Sequence, residues 1–381
     1  MSTSEHGLPP MSATAPIMAT QEVKQPSYRT STVEFSGKGG EFFGIWIVNI
    51  LLTIVTLGIY SAWAKVRTQQ YFLGHTKVDG HAFRYLATPI QILKGRLLAF
   101  AVIAVFSVLT QLIPVFGAVF AVASIFVMPW LLVQGIKFNL RMTSYRNVRF
   151  GFHGSYGEAF LNFIILPILS LFTLYLLMPY VLKRMEKFVY ENVSFGGKKM
   201  QVNTSAGKYY EAVFKAFFVT LGALIVFAIV LSILGVVAGV SLKADEFGAV
   251  GGIMSIVLIV AYFVAYIVAY VLIIALPQAI YRGIVRNHVF DAAELEGLAT
   301  FKSTVDISDY CVLLATNYLM VAGSLGLAYP VAKVRHAAYL ASVTEVRINS
   351  EIDNLTDPLK QESSTFLEEA ADLYDIDFSL T

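Results

Sequence analysis

The chain has 381 residues, 56% of them hydrophobic and 14% charged, with a formal net charge of +2. A soluble domain carries about 25% charged residues, so a chain this apolar cannot cover a water-facing surface and reads as an integral membrane protein. No long basic groove for nucleic acid is visible, and the lone Cys311 rules out an intramolecular disulfide or a thiolate zinc site.

Residues 1–30 are rich in Ser, Thr, Pro and Ala and read as a disordered tail. They hold no apolar run of signal-peptide type, so the first hydrophobic segment is expected to stay in the protein as an anchor. Residues 32–36 alternate like a short strand. Gly37, Gly39 and Gly40 break it, and Glu41 opens a helix, where a carboxylate suits the N-terminal dipole. The apolar run 42–60 follows. About twenty residues at roughly 1.5 Å each are enough for about 30 Å of hydrocarbon. Trp63, Lys65, Arg67 and Tyr71 come next, the aromatic and basic pairing of the headgroup level. Residues 75–85 read as a hairpin turning at Asp79-Gly80.

Runs 97–114 and 115–134 form a tight helical hairpin through Pro114-Val115-Phe116-Gly117. Lys94 and Arg96 precede it and Lys137 and Arg141 follow it, which puts both ends on the cytoplasmic side. Residues 145–153 alternate like one strand. Glu158 opens a fourth run to about 181, followed by Lys183, Arg184 and Lys187 and a second hairpin turning at Gly196-Gly197. Runs 214–240 and 253–280 flank Lys243, Asp245 and Glu246, the expected external loop. Residues 290–309 read as a mixed connector, 310–330 as the seventh run, and Lys333, Arg335 and Tyr339 as its exit. The tail from Glu351 is acidic.

Parts of this pattern recur. Glu41, Phe42, Asn49, Leu57, Gly58, Lys65, Val66, Arg67 and Tyr71 pair without a gap with Asp309, Tyr310, Asn317, Leu325, Gly326, Lys333, Val334, Arg335 and Tyr339. Glu158, Phe160, Arg184, Phe188 and Gly197 match the first copy more weakly. Tyr145-x-Asn147-Val148-x-Phe150-Gly151 also recurs as Tyr190-x-Asn192-Val193-x-Phe195-Gly196. The expected fold is an all-α polytopic membrane protein. It repeats a motif segment plus a helical hairpin, with short β-hairpin-like elements at the membrane surface. Its expected parts are the tail 1–30, a membrane domain 31–348 with units at about 31–144, 145–300 and 301–348, and an acidic tail 349–381.

The stretch FSGKGGEFFGIWIVNILLTIVTLGIYSAWAKVRTQQYFLGHTKVDGHAF, residues 35–83, closely resembles the signature of the YjgN-like family. Its members are bacterial inner-membrane proteins grouped as a domain of unknown function. The likeness runs over about 33–348. It implies a place in the bacterial inner membrane and brings no activity with it.

Two arrangements of the motif segments fit. If each crosses once, the two halves are inverted repeats, a plan of secondary transporters. The basic stretches 61–96 and 182–215 would then lie on opposite sides, against the positive-inside rule. Alternatively each segment re-enters, breaking near Thr56-Leu57-Gly58, Met178-Pro179 and Gly326, and the flanking strands pair in the cytoplasm.

Asn49 and Asn317 are polar positions inside apolar runs, as helix-packing groups or as part of a polar path. Lys65, Arg67, Arg184, Lys333 and Arg335 read as lipid-headgroup or topogenic residues, and Trp63, Tyr71 and Tyr339 as interfacial aromatics. His75 and His81 flank Asp79 and read as solvated or interfacial rather than as a metal site, and Gly37-Lys38-Gly39 lacks the rest of a P-loop. No enzyme, cofactor or metal site is expected. The repeat and the asparagine pair favour transport or permeation of a small-molecule substrate, and the alternative is a structural or lipid-binding protein. Membrane lipids are the expected partners.

Overall fold

A computed structural model describes residues 28–242, 248–355 and 357. The expected external loop at Lys243, Asp245 and Glu246 lies outside the described residues, as do residues 1–27 and nearly all of the acidic tail.

The all-α expectation is corrected by a sheet. The described strands are β1 (Tyr28–Phe35), β2 (Thr76–Val78), β3 (His81–Tyr85), β4 (Thr143–Tyr145), β5 (Val148–Phe152), β6 (Val193–Phe195), β7 (Lys198–Val202), β8 (Ala293–Leu295), β9 (Ala299–Ser303) and β10 (Thr344–Asn349). They close into one antiparallel barrel in the order β1-β10-β9-β8-β7-β6-β5-β4-β3-β2. A lone hairpin of such short strands is marginal in water. Joining neighbours around a ring supplies every strand with two partners and leaves no open edge.

Three of the turns share a geometry. Asp79-Gly80, Arg146-Asn147 and Gly196-Gly197 all have positive φ at both positions, from 49° to 81°. Turns of this kind match the twist of the strands they join. Residues 145–153 are therefore not one strand: Arg146-Asn147 turns β4 into β5 without a glycine to mark it. The connector 290–309 also folds, as β8 and β9. The recurrence of the Tyr145 stretch at Tyr190 is out of structural phase, because Tyr145 ends β4 while Tyr190 lies in a helix.

Each gap between β-hairpins holds a helical excursion. Three are short. The first is α1 (Gly39–Val55) and α2 (Ser61–His75). Two long helices follow β3, α3 (Pro89–Leu112) and α4 (Pro114–Arg141). The second short excursion is α5 (Tyr156–Phe160), a π-helical turn over Leu161–Ile165, α6 (Leu166–Phe172) and α7 (Met178–Glu191). After β7 come the long α8 (Ala206–Leu242) and α9 (Gly248–Asp291). The third short excursion is α10 (Ile307–Gly323) and α11 (Tyr329–Ser342).

The short excursions turn in the same way. Gly58 N–H donates to Thr53 C=O at 2.7 Å, Tyr175 N–H to Ser170 C=O at 2.8 Å and Gly326 N–H to Val321 C=O at 2.8 Å. Bonds of this span close a helix through a left-handed residue. A hydroxyl then caps the returning leg: Thr56 accepts from Tyr60 N–H, Thr173 from Leu177 N–H and Ser324 from Ala328 N–H. The tip leucines Leu57, Leu174 and Leu325 are 95%, 85% and 94% exposed. Their exposure suits a lipid environment. Breaks at Thr56-Leu57-Gly58 and Gly326 fall where the sequence put them. The second lies at Leu174-Tyr175, not Met178-Pro179; Pro179 sits in the first turn of α7, where its missing N–H costs nothing.

β1 pairs with β2, β5 with β6 and β9 with β10. Both ends of every short excursion therefore lie on the same barrel, and none of the three crosses away from it. Around the ring α2 packs on α3, α4 on α5, α7 on α8, α9 on α10 and α11 on α1. The helical layer thus closes at the same seam as the barrel.

Val78, Tyr145, Phe195, Leu295 and Val346 are buried within the barrel cluster, with Phe83, Phe150 and Phe301 packed on them. The Tyr145 hydroxyl donates to Val78 C=O at 2.9 Å. Eight strands are just wide enough for side chains to fill the centre. Ten leave an apolar cavity of about 240 Å3. Beyond β10 a 3-10 turn (Ser350–Asn354) lays Ile352 into this cluster, with Leu355 beside it. Asp353 is held by Arg29 and Arg146, which also grip Asp79 at 2.5 and 2.6 Å.

Candidate functional site

Two polar sites lie among the helices on the other side of the barrel. The first is a groove of about 420 Å3 between α1, α2 and α11, lined by Trp46, Asn49, Thr53, Lys65, Gln69 and Lys333. Asn49 is 5% exposed and its side-chain oxygen has no hydrogen-bond partner. Lys333 is half-buried, its ammonium 4.7 Å from the Phe72 ring centre and 5.7 Å from that of Phe42. Among the described residues it has no carboxylate partner. Burial pushes its pKa down from the ordinary lysine value. The aromatic faces offset part of that desolvation through the ring quadrupole.

The sequence-derived residues divide between this groove, the protein interior and the exposed surface, where Arg67 and Arg335 stand. Asn49, Lys65 and Lys333 are brought together in it. Asn317 is not. It is 6% exposed on α10 and donates to Ala332 C=O at 3.3 Å, with its oxygen also unpaired. Arg67 donates to the Tyr60 hydroxyl at 3.0 Å and Arg335 to the Thr316 hydroxyl at 3.4 Å. Arg184 Nε donates to Asn162 Oδ1 at 3.3 Å; Asn162 is 3% exposed. Trp63 stacks on Tyr60 with ring centres 6.0 Å apart.

Tyr71 and Tyr339 make alike contacts. Tyr71 stacks on Phe42 at 5.1 Å and its hydroxyl donates to Lys38 C=O at 2.9 Å. Tyr339 stacks on Tyr310 at 5.5 Å and its hydroxyl donates to Asp306 C=O at 3.1 Å. Each ties the returning helix to the N-cap of the outgoing one. Phe188, which the sequence match pairs with Tyr71, keeps the ring and has no hydroxyl.

The second site was not visible in the sequence. It is a chamber of about 250 Å3 between α7, α9, α10 and α11 at the mouth of the barrel. Glu186 of α7 accepts from the Tyr209 hydroxyl at 2.8 Å and the Tyr281 hydroxyl at 3.4 Å. Burial pushes the Glu186 carboxyl above the usual carboxylate range, and the two phenols pull the other way. Across the chamber the Tyr310 hydroxyl and His336 Nε2 lie 2.9 Å apart. Burial lowers the His336 pKa, and the charges of Arg282 and Arg286 lower it further. Arg286 donates to the Thr344 hydroxyl at 2.8 Å. These residues sit at the ends of apolar runs, where charge reads as topogenic. The one odd signal was Glu186, an acid inside the basic stretch Lys183 to Lys187.

Among the described residues no group of three or more His, Cys, Asp or Glu is placed to hold a metal ion. Four helices, Pro89–Leu112, Val115–Arg141, Ala206–Val236 and Ile256–Asp291, are long and apolar enough to cross a membrane. Residues 30–373 match the family described as bacterial protein of unknown function, DUF898. This chain belongs to that YjgN-like family. It is 34% identical over 148 residues to the inner membrane protein YjgN of Salmonella typhimurium, a match covering 39% of this chain and 38% of that protein. To the YjgN proteins of Escherichia coli O157:H7 and strain K12 it is 29% identical over 150 residues, again 39% of this chain and 38% of theirs. The chain thus spans well under half the length of the curated relatives it matches. No solved structure matches it. With four apolar helices of spanning length, this DUF898 chain is a membrane protein.

Proposed function

We propose that this is a multi-pass protein of the bacterial inner membrane that holds the headgroup of an anionic lipid in the groove between α1, α2 and α11. The two long helical hairpins are its spans, the short ones dip and return as repeated units, and the barrel faces the cytoplasm. The names of its relatives support the inner membrane. Lys94, Arg96, Lys137 and Arg141 flank α3 and α4 at their barrel ends, and basic residues favour the cytoplasmic side.

Lys333 carries the lipid reading. A half-buried ammonium without a carboxylate, beside Lys65 and an unpaired asparagine oxygen, is completed by a phosphate with a neighbouring hydroxyl. A solute path has less support: Asn49 and Asn317 face different surroundings, and at most 6% of each candidate span is buried. Lipid binding can be read by native mass spectrometry of protein released from nanodiscs of phosphatidylglycerol and phosphatidylcholine. Retention of phosphatidylglycerol is expected, weakened about thirtyfold in the double variant Lys65→Gln, Lys333→Gln, since clustered lysines contribute about 1 kcal/mol each. Equal retention of both lipids, or no effect of the double variant, would sink the reading.

A further inference from the structure

The chamber and the barrel cavity meet at Phe290, whose ring lines both. The guanidinium carbon of Arg286 lies 4.1 Å from the centre of that ring. Arg286 also bonds the Thr344 hydroxyl, and Thr344 lines the barrel cavity. The boundary between the two spaces is therefore a stacked pair and one hydroxyl.

The spaces have opposite character. On the chamber side Arg282 and Arg286 stand one helical turn apart on α9, without carboxylate partners among the described residues. Glu186, the carboxylate that lines the chamber, is taken up by the Tyr209 and Tyr281 hydroxyls. The Nε of Arg286 is buried and has no partner, a donor left unsatisfied until an acceptor enters. On the barrel side about 240 Å3 is bounded by side chains such as Phe83, Phe195, Ala299 and Val346. Apolar space of this size stays dry, and its walls forgo the contacts a filled core would have.

We infer that chamber and barrel form one site for an amphipathic anion, with a carboxylate or phosphate head on Arg282 and Arg286 and a short linear tail passing Phe290 into the barrel. The cavity has room for about eight methylene-sized groups at roughly 30 Å3 each, the share of a water in the liquid. A two-tailed phospholipid does not fit, which separates this site from the lateral groove. Tyr310 and His336, bonded to each other, flank the head. Each tail methylene that leaves water tightens binding about fourfold.

The test is equilibrium binding of radiolabelled butyrate, hexanoate, octanoate and octanol to the full chain in nanodiscs, with empty nanodiscs subtracted. Octanoate is expected to saturate at one per chain and to bind about 200-fold more tightly than butyrate, four methylenes at about fourfold each. Octanol is expected to bind at least tenfold more weakly than octanoate. Arg286→Gln should weaken octanoate at least tenfold and leave octanol unchanged; Arg282→Gln, at an exposed position, gives the same direction if the first variant does not fold. Ala299→Leu should weaken octanoate more than butyrate by occupying the barrel. Lys333→Gln should leave octanoate unaffected, so failure of the lipid groove and failure of this site are told apart. Uptake no greater than in empty nanodiscs, affinity independent of chain length, octanol equal to octanoate, or loss of binding in Lys333→Gln would each overturn the inference.

Discussion

Tyr71→Phe tests whether the first short hairpin is tied to the barrel at its base. The Tyr71 hydroxyl accepts from Lys38 N–H at 2.7 Å and donates to Lys38 C=O at 2.9 Å, and the residue is only 7% exposed. Phenylalanine keeps the stack on Phe42 and removes both bonds. Each bond contributes about 0.5–1.5 kcal/mol net, and a buried group left without a partner costs about 1–3 kcal/mol. The expected loss is about 2–3 kcal/mol. Tyr339 makes only the donating bond, to Asp306 C=O at 3.1 Å in a more exposed setting. Tyr339→Phe is therefore expected to cost about 1 kcal/mol or less. At no more than about 2–4 °C per kcal/mol, the range for chains of about 150–250 residues, Tm should fall by up to about 12 °C in the first variant and by no more than about 4 °C in the second. Differential scanning fluorimetry in nanodiscs measures both. Equal shifts, or none for Tyr71→Phe, would refute the reasoning.

Other positions make distinct predictions. Gly326 has φ of 93° at the tip of the third short hairpin, whereas Tyr175 holds the equivalent turn at φ of 63°. Gly326→Ala should cost about 1–2 kcal/mol, because a Cβ is disfavoured there, and Tyr175→Gly should be neutral or stabilising by up to about 1 kcal/mol; denaturant midpoints showing the reverse order would contradict the shared turn. His336 has a lowered folded pKa, so its contribution to stability is complete above its ordinary value of 6.5 and is lost as pH falls through the lowered value. Tm measured from pH 7.5 to 4.5 should drop more steeply in the wild type than in His336→Gln, and parallel slopes would count against it. Glu186 acts in the opposite sense: its folded pKa is raised, so its contribution is complete below 4.5 and lost as pH rises through the raised value. Glu186→Gln should therefore lose less stability between pH 4.5 and pH 7.5 than the wild type, read by the same Tm series.

What the sequence could show depended on range. The turns at Asp79-Gly80 and Gly196-Gly197 were legible because glycine marks a left-handed pair. Arg146-Asn147 was not, since an ion-pairing arginine stands where a glycine signal would. The spacing paired Tyr71 with Tyr339, and the structure gives both hydroxyls a bond to an N-cap carbonyl; Asn49 and Asn317, paired by the same spacing, have different surroundings. The barrel was hidden for a physical reason. Strands such as β2 and β4 are three residues long, and their partners lie across helical excursions of dozens of residues. Local pattern carries no information about such pairing. The chamber was hidden for the same reason: Glu186, Tyr209, Tyr281 and Arg286 come from three helices and converge only when the barrel closes.

The central claim is that one barrel on the cytoplasmic side anchors both ends of every helical excursion. Single cysteines placed at the exposed positions His81, Lys198 and Thr300, in a Cys311→Ser background, test it with a membrane-impermeant maleimide on spheroplasts. All three are expected to stay unlabelled on intact spheroplasts and to label together once the membrane is permeabilised. Labelling of one position from outside while another stays protected would place the strands on opposite sides and contradict the account.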